Sequence, residues 1–478
     1  ELLARLPGEQ RAELVDLLVF LGRAQVVANE PEAGHANLLR AVELARELGD
    51  AERQANAAID LVQADYVLPA EYGSETIQLL RQVLAALPPE DSLLRTRTLG
   101  RLAMLLEHTG FLSRLSVDLP DPLITAQQAM AMARRLGDPA ATFHAINAVQ
   151  EVQSTFEDIE QNLQDATEMV RLAELAGDPE MTLVAHSTRM NVLFQLGKID
   201  EADRELEAYT RIASDYRIAA KIVRAAFTSV LRAFMRGDLA ETEAGLERAR
   251  QICTQFHRKV DPTYYSLELF FLRREQDRWV EAEAALLALD EYPESFIFPD
   301  SIRALATAES GDFDRAAASV SRLLDAAVNA KPRLVMWLAA TSLLAEICVI
   351  LNDTDGAARL LPVLQPYGHL FPAPGGTGIF LDPVAHSLGI LAQALGQPDD
   401  AATYFDAALR LEEAAGTPIL LVHTQCAYAR LLGSELNRVD DARSLLTAAA
   451  ETAEKLRLPR AIRIVQSTLT TLEACHSP

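Results

Sequence analysis

The sequence predicts an all-α protein, a right-handed superhelical solenoid of about eleven helix-turn-helix repeats. Three observations predict it. The stretch from His386 to Gly416 carries two helical apolar faces, Leu388, Leu391 and Leu395 on one and Ala401, Phe405 and Ala408 on the other, split by a Gly396-Gln397-Pro398 turn. Neither helix can bury its stripe alone, so the hairpin requires stacked copies on either side. The copies recur along the chain, and the composition of 49% hydrophobic but only 6% aromatic residues suits close helix packing.

The marker of each copy is a Gly/Asn-Asp type of turn, a small residue five places after its first position, and an apolar residue four further on. It reads Gly197-Ala202-Leu206, Gly237-Thr242-Leu246, Asp277-Ala282-Leu286, Gly311-Ala316-Val320, Asn352-Ala357-Leu361, Gly396-Ala401 and Asn437-Ala442-Leu446. Fainter copies place the small residue near Gly34, Thr76, Pro122 and Ile159. The eleven markers are separated by 34 to 46 residues, so residues 1–478 are expected to form a single solenoid.

Taken in order, residues 1–50 supply a first hairpin, ELVDLLVFLGRAQVVA followed by a helix ending in LARELGD. Asp-Pro pairs at 121–122, 138–139, 178–179, 261–262 and 382–383 are expected to open helices, with Asp as cap and Pro at the first helical position. The segment FLSRLSVDLPDPL suggests a longer loop between helices. Residues 365–382, QPYGHLFPAPGGTGIFLD, are too rich in Pro and Gly to be helical. Their Gly375-Gly376-Thr377-Gly378 lacks the Lys of a phosphate loop, and the stretch reads as a connection between repeats.

Leu21-Gly22 and Leu388-Gly389 lie twelve residues before their markers, and Ala64, Ala304 and Ala345 occupy the same close-packed position, where Met190, Val230 and Phe270 depart from the pattern. With small and aromatic residues in the second helix, this pattern resembles the tetratricopeptide repeat, lengthened beyond its period of about 34 residues. The phrases LARELGD, LRREQDRW, IFLDPVAHSLGILAQALGQPDDAATYFDAALRLEEAAGTP and HTQCAYARLL are further similar to the helical-repeat region of large bacterial signal-transduction ATPases. That family includes LuxR-type, antibiotic-regulatory and maltose-activator-like transcription regulators and multidomain adenylate cyclases.

The resemblance implies a cytoplasmic sensor scaffold that binds a protein, a peptide or a small-molecule inducer and controls an ATPase switch domain. The alternatives are a free-standing adaptor and the regulatory region of an adenylate cyclase. It also implies that the chain, which begins at Glu1 inside a helical pattern, is a fragment of a longer multidomain protein, with ATP bound in an upstream domain and no cofactor in this segment.

The formal charge of −24 makes the average surface repel phosphate backbones and anionic lipids, so direct binding to nucleic acid or membrane is not expected. Cys253, Cys348, Cys426 and Cys475 form no Cys-x-x-Cys pair and read as reduced, buried thiols. No HExxH, GxSxG or kinase phrase occurs and the nine histidines are scattered, so neither a catalytic nor a metal site is expected. Glu201, Asp203, Glu205 and Glu207 read as a solvated face.

Stacked hairpins offer a concave surface lined mainly by their first helices. Positions fifteen and eleven before each marker select Ser187 and Asn191, Phe227 and Leu231, Leu267 and Phe271, Ser342 and Glu346, and His386 and Ile390. Arg224, Tyr264, Arg274 and His144 project near them by the same count. The candidate groove set is therefore His144, Asn191, Arg224, Tyr264, Phe271, Arg274, Glu346 and His386, with aromatic area and Arg forks suited to a peptide or an anion. Replacing Arg224 and Arg274 with Ala is expected to weaken a partner while leaving the melting temperature nearly unchanged.

Overall fold

The structure, a computed structural model, describes residues 7–28, 30–65, 70–112, 120–153, 158–256, 262–287, 297–329, 335–373 and 379–475. Twenty-three α-helices and no strand occur among the described residues, as the repeat pattern requires. Neighbouring helices pack on one another, as Gly8–Val27 does on Pro31–Leu48 and Val439–Leu456 on Pro459–Cys475. The chain divides into two compact units, one built from residues 1–154, 160–188 and 254–259, the other from 155–159, 189–253 and 260–478.

The marker has a direct backbone cause. Gly197, Gly237, Asp277, Gly311, Asn352, Gly396 and Asn437 all adopt positive φ, the left-handed conformation that closes a helix and that Gly, Asn and Asp tolerate best. The residue that follows often caps the next helix: Asp238 Oδ1 accepts from Glu241 N at 2.9 Å and Asp353 Oδ1 from Gly356 N at 2.9 Å. Five places after each turn, Ala202, Thr242, Ala282, Ala316, Ala357, Ala401 and Ala442 are buried. The faint upstream markers Gly34 and Thr76 are buried inside second helices, whereas Pro122 and Ile159 are the first residues of theirs.

In the first unit the same device ends the LARELGD and MARRLGDP phrases: Gly49 and Gly137 cap in the left-handed region, and Asp50 and Asp138 then accept from Arg53 N at 3.0 Å and Ala141 N at 2.7 Å. Asp121 and Asp178 likewise cap helices beginning at Pro122 and Pro179, while Asp261 lies outside the described residues. The core runs from Val15 and Leu18 through Val42, Ala58 and Leu80 to Leu105. The glycine of the Leu-Gly pair is needed by contact: a Cβ on Gly22 would lie 2.6 Å from Leu38 Cγ. The FLSRLSVDLPDPL loop falls largely outside the described residues, between helices Leu93–Leu112 and Pro122–Leu136.

The second unit does not stay nearest-neighbour. Helix Pro262–Glu275 packs against Pro459–Cys475, and Ala219–Met235 against Pro418–Ser434, so late hairpins return to early ones. The Pro-rich stretch after the short 3-10 turn Gln365–Tyr367 takes part: Phe371 N donates to Gln195 O at 2.8 Å, and Phe371 stacks on Phe380 with centroids 4.8 Å apart. Phe371 also lies against the turn at Gly197. Residues 375–378, the Gly-Gly-Thr-Gly run, lie outside the described residues.

The acidic group at 201–207 corrects the solvated-face expectation in part. Glu205 is buried and paired with Arg189, which also reaches Glu201 at 3.3 Å, and Asp203 takes both arms of the buried Arg232. Cys253, Cys348 and Cys426 are buried, and the Cys475 side chain is outside the described residues. No described helix is long and apolar enough to cross a membrane.

Candidate functional site

Five helices of the second unit, Pro262–Glu275, Val335–Leu351, Val384–Ala394, Pro418–Ser434 and Pro459–Cys475, surround a cleft of about 210 Å³. Its apolar wall is Leu343, Val349, Ile350, Ile390 and Ile464, and its polar lining includes Ser342, Ser387, Glu346 and Arg430. The groove rule selected Ser342, Glu346, His386 and Ile390, and all four line this cleft, as does Arg274.

The cleft floor is a buried ionic network. Arg274 forks onto Glu309, Nε to Oε2 at 3.0 Å and Nη2 to Oε1 at 2.8 Å, and also donates to Glu346. Arg460 donates to Glu275 at 3.1 Å and to Glu309 at 3.1 Å, and stands 3.6 Å from Glu346. His423 bridges two carboxylates, Nε2 to Glu275 at 3.3 Å and Nδ1 to Asp382 at 3.6 Å. Three cations thus face Glu275, Glu309, Glu346 and Asp382, the arrangement that makes buried charge tolerable.

Titration follows from that geometry. Burial alone would raise the Glu275 carboxyl, but His423 and Arg460 hold it down at about 2. Burial opposes charge on His423, yet Glu275 and Asp382 on either side raise its imidazole to about 10, so it is an imidazolium at neutral pH. Both its ring nitrogens then donate. The 3.2 Å approach of Arg460 Nη1 to His423 Nε2 is therefore two donors converging on Glu275, not a hydrogen bond between them.

Beside the network, His386 Nδ1 meets Thr424 Oγ1 at 2.7 Å, and Thr424 Oγ1 donates to Glu412 Oε1 at 2.7 Å. Glu412 is wholly buried and burial pushes its carboxyl well above the usual range, while burial lowers the His386 imidazole. The His386 ring also packs edge-on against Phe405, 5.9 Å between centroids. Asp382, His386 and Glu412 together offer donor atoms in metal-ligand proximity. This was not legible in the scattered histidines.

The other groove candidates lie elsewhere. Phe271 is buried, lining a small cavity with Leu231, Phe234, Glu268 and Phe380. Arg224 Nη2 donates to Asn191 Oδ1 at 3.4 Å as a separate pair. His144 belongs to the first unit, where burial first and then Arg97 and Arg101 depress its imidazole to about 3. Tyr264 is in helix Pro262–Glu275, its side chain outside the described residues. Arg274 is only 5% exposed and is held by Glu309 and Glu346, which argues for a lowered melting temperature on its replacement where the spacing alone predicts no change. Sequence reasoning missed Glu275, Glu309, Asp382, Glu412, His423 and Arg460. Asp382 was read as a helix cap, but the cap of Val384–Ala394 is Pro383 and the carboxylate turns to His423.

No family model matches the sequence, and no curated protein matches it. Among solved structures the chain is similar to the crystal structure of the APC/C hetero-tetramer Cut9-Hcn1, with a TM-score of 0.48 and 10% identity over 91% of this chain and 76% of that one. A likeness of that degree assigns neither a family nor a function. What the helices themselves define is an all-α protein of repeated, stacked hairpins.

Proposed function

We propose that the chain is a non-catalytic sensor scaffold that holds a peptide segment or an inducer in the cleft of its second unit. The observation that carries this reading is the lining. The same cleft carries apolar residues, Arg430, an exposed guanidinium with no ion-pair partner among the described residues, and the buried Ser342 Oγ, which has no hydrogen-bond partner. Such a site suits a ligand with an apolar body and a carboxylate, since Arg can take a carboxylate with two parallel bonds. The cleft volume fits a peptide end or a small inducer and not a folded domain. The resemblance to bacterial signal-transduction ATPases supports placing the scaffold in a cytoplasmic transcription regulator, where occupancy would bias an ATP-binding switch domain.

The test uses the whole 478-residue chain against a library of octapeptides with free carboxyl termini and a panel of amphipathic carboxylic acids. Ligands selected this way are expected to lose about tenfold in affinity, roughly 1.4 kcal/mol, on Arg430→Ala. They should lose more on Ile390→Trp, which fills the wall, with helicity unchanged. Ligands indifferent to both substitutions, or none that bind, would overturn the assignment.

A further inference from the structure

Asp382, His386 and Glu412 come from different elements: the residue pair before helix Val384–Ala394, the first turn of that helix, and the last turn of helix Pro398–Ala415. One donor atom from each lies within 4.8 Å of the others. Each side chain is fixed by a contact that spares a further donor atom. Glu412 Oε1 is taken by Thr424 while Oε2, in a side chain with no exposure, has no hydrogen-bond partner. Asp382 Oδ2 faces His423 while Oδ1 has no partner. His386 uses Nδ1 on Thr424, which leaves Nε2.

Two orphaned carboxylate oxygens beside one imidazole are costly in a buried place, because each has given up water for nothing in return. Partners that hold another atom of each ligand are what metal sites place behind their first layer: here Thr424 orients both Glu412 and His386, and His423 orients Asp382. Asp382 and His386 also line the cleft, so an ion has a way in and open positions on that side.

We propose that Asp382, His386 and Glu412 bind a divalent cation of the class that accepts mixed nitrogen and oxygen ligands, Zn²⁺ or Mn²⁺. Bonds of about 2.0–2.2 Å put tetrahedral ligand atoms about 3.5 Å apart, so the three side chains draw in by little more than 1 Å when the ion enters. Two carboxylates and one neutral imidazole favour Zn²⁺ or Mn²⁺ over Ca²⁺, which takes six to eight oxygens. Three protein ligands leave at least one position facing the cleft for water or for a carboxylate of a bound ligand. The inference stands whether or not the cleft takes a peptide.

The experiment strips the full chain with chelator and titrates Zn²⁺ and Mn²⁺ by calorimetry, with metal content after dialysis and thermal unfolding read in parallel. One equivalent is expected, with a raised melting temperature, because a ligand held only by the folded state stabilises it. Glu412→Gln and His386→Gln should each weaken the site by about 100-fold, while His369→Gln and Asp399→Asn leave it unchanged. Should Glu412→Gln fail to fold, Co²⁺ loaded into the wild-type chain gives ligand-field bands that His386→Gln must change. No binding by the wild-type chain, or binding equally strong in His386→Gln, would overturn the site.

Discussion

Arg460 and Glu275 stand 185 residues apart in the chain and pair at 3.1 Å inside the second unit. The contact joins helix Pro459–Cys475 to helix Pro262–Glu275, so it holds the last described hairpin against one far upstream. Both side chains are nearly inaccessible, Arg460 at 7% and Glu275 at 2%. Removing Arg460 leaves Glu275 to His423 alone and takes from Glu309 one of its two guanidinium partners, a loss of about 3 kcal/mol, the low end for a broken buried pair. Arg460→Ala is expected to lower the unfolding free energy from urea denaturation by that amount, with little change in helicity at zero denaturant. A loss below about 1 kcal/mol, the scale of an exposed pair, would mean that the network is open to water.

His423 makes the same network sensitive to alkali. Its folded pKa, raised to about 10, lies above the unfolded value of 6.5, so its contribution is complete below pH 6.5 and is lost as pH rises toward 10. Glu275 runs the other way: held at about 2 against an ordinary 4.5, it stabilises above pH 4.5 and loses that contribution as pH falls toward 2. The stability difference between wild type and His423→Gln should therefore be largest near pH 6 and shrink by pH 10. Chemical denaturation at four pH values between these limits measures it. A difference that grows with pH would reverse the assigned charge state.

Gly197 and Gly396 separate backbone strain from contact. Their φ values, +67° and +68°, are nearly equal, but a Cβ on Gly197 would meet Phe371 Cε2 at 2.5 Å and one on Gly396 would meet nothing within 4 Å. Gly396→Ala should cost about 1 kcal/mol for the left-handed conformation alone. Gly197→Ala should cost 1–3 kcal/mol more, roughly the penalty for overpacking. Adding Phe371→Ala should bring the two glycine costs together, apart from the common loss of the ring. Equal costs without that change would show that the Phe371 ring yields freely.

The hairpins, their turns and part of the cleft were legible in the sequence for physical reasons. A left-handed residue must close each helix, and Gly, Asn or Asp must supply it, so all seven marker turns show positive φ. Gly389 accompanies Leu388 because a Cβ there would lie 2.6 Å from Phe405. Ser342, Glu346, His386 and Ile390 were placed by spacing alone, since helical period decides which face a residue takes. The ionic floor was not legible. Periodicity describes a helix and its neighbours, and nothing in it says that Arg460 and Arg463 return to Glu275 and Asp277. Asp382 was hidden by a good local explanation, the Asp-Pro cap, which tertiary contact with His423 overrides.

Arg274 and Arg224 are a last measurable contrast between residues that spacing treats alike. Arg274 sits at 5% exposure, forks onto Glu309 and also holds Glu346, and those carboxylates together raise its pKa well above the usual value although burial opposes it. Arg224 is half-buried and has one long contact, to Asn191 at 3.4 Å. Arg274→Ala takes the two-pronged partner from Glu309 and leaves Glu309 and Glu346 to Arg460, so it should cost about 3 kcal/mol, whereas Arg224→Ala should stay within about 1 kcal/mol. Arg274→Lys should recover only part of the loss, because an ammonium cannot reproduce the two-pronged geometry. Thermal unfolding of the three variants decides it, and an Arg274→Ala protein as stable as Arg224→Ala would mean that the fork onto Glu309 adds nothing to the fold.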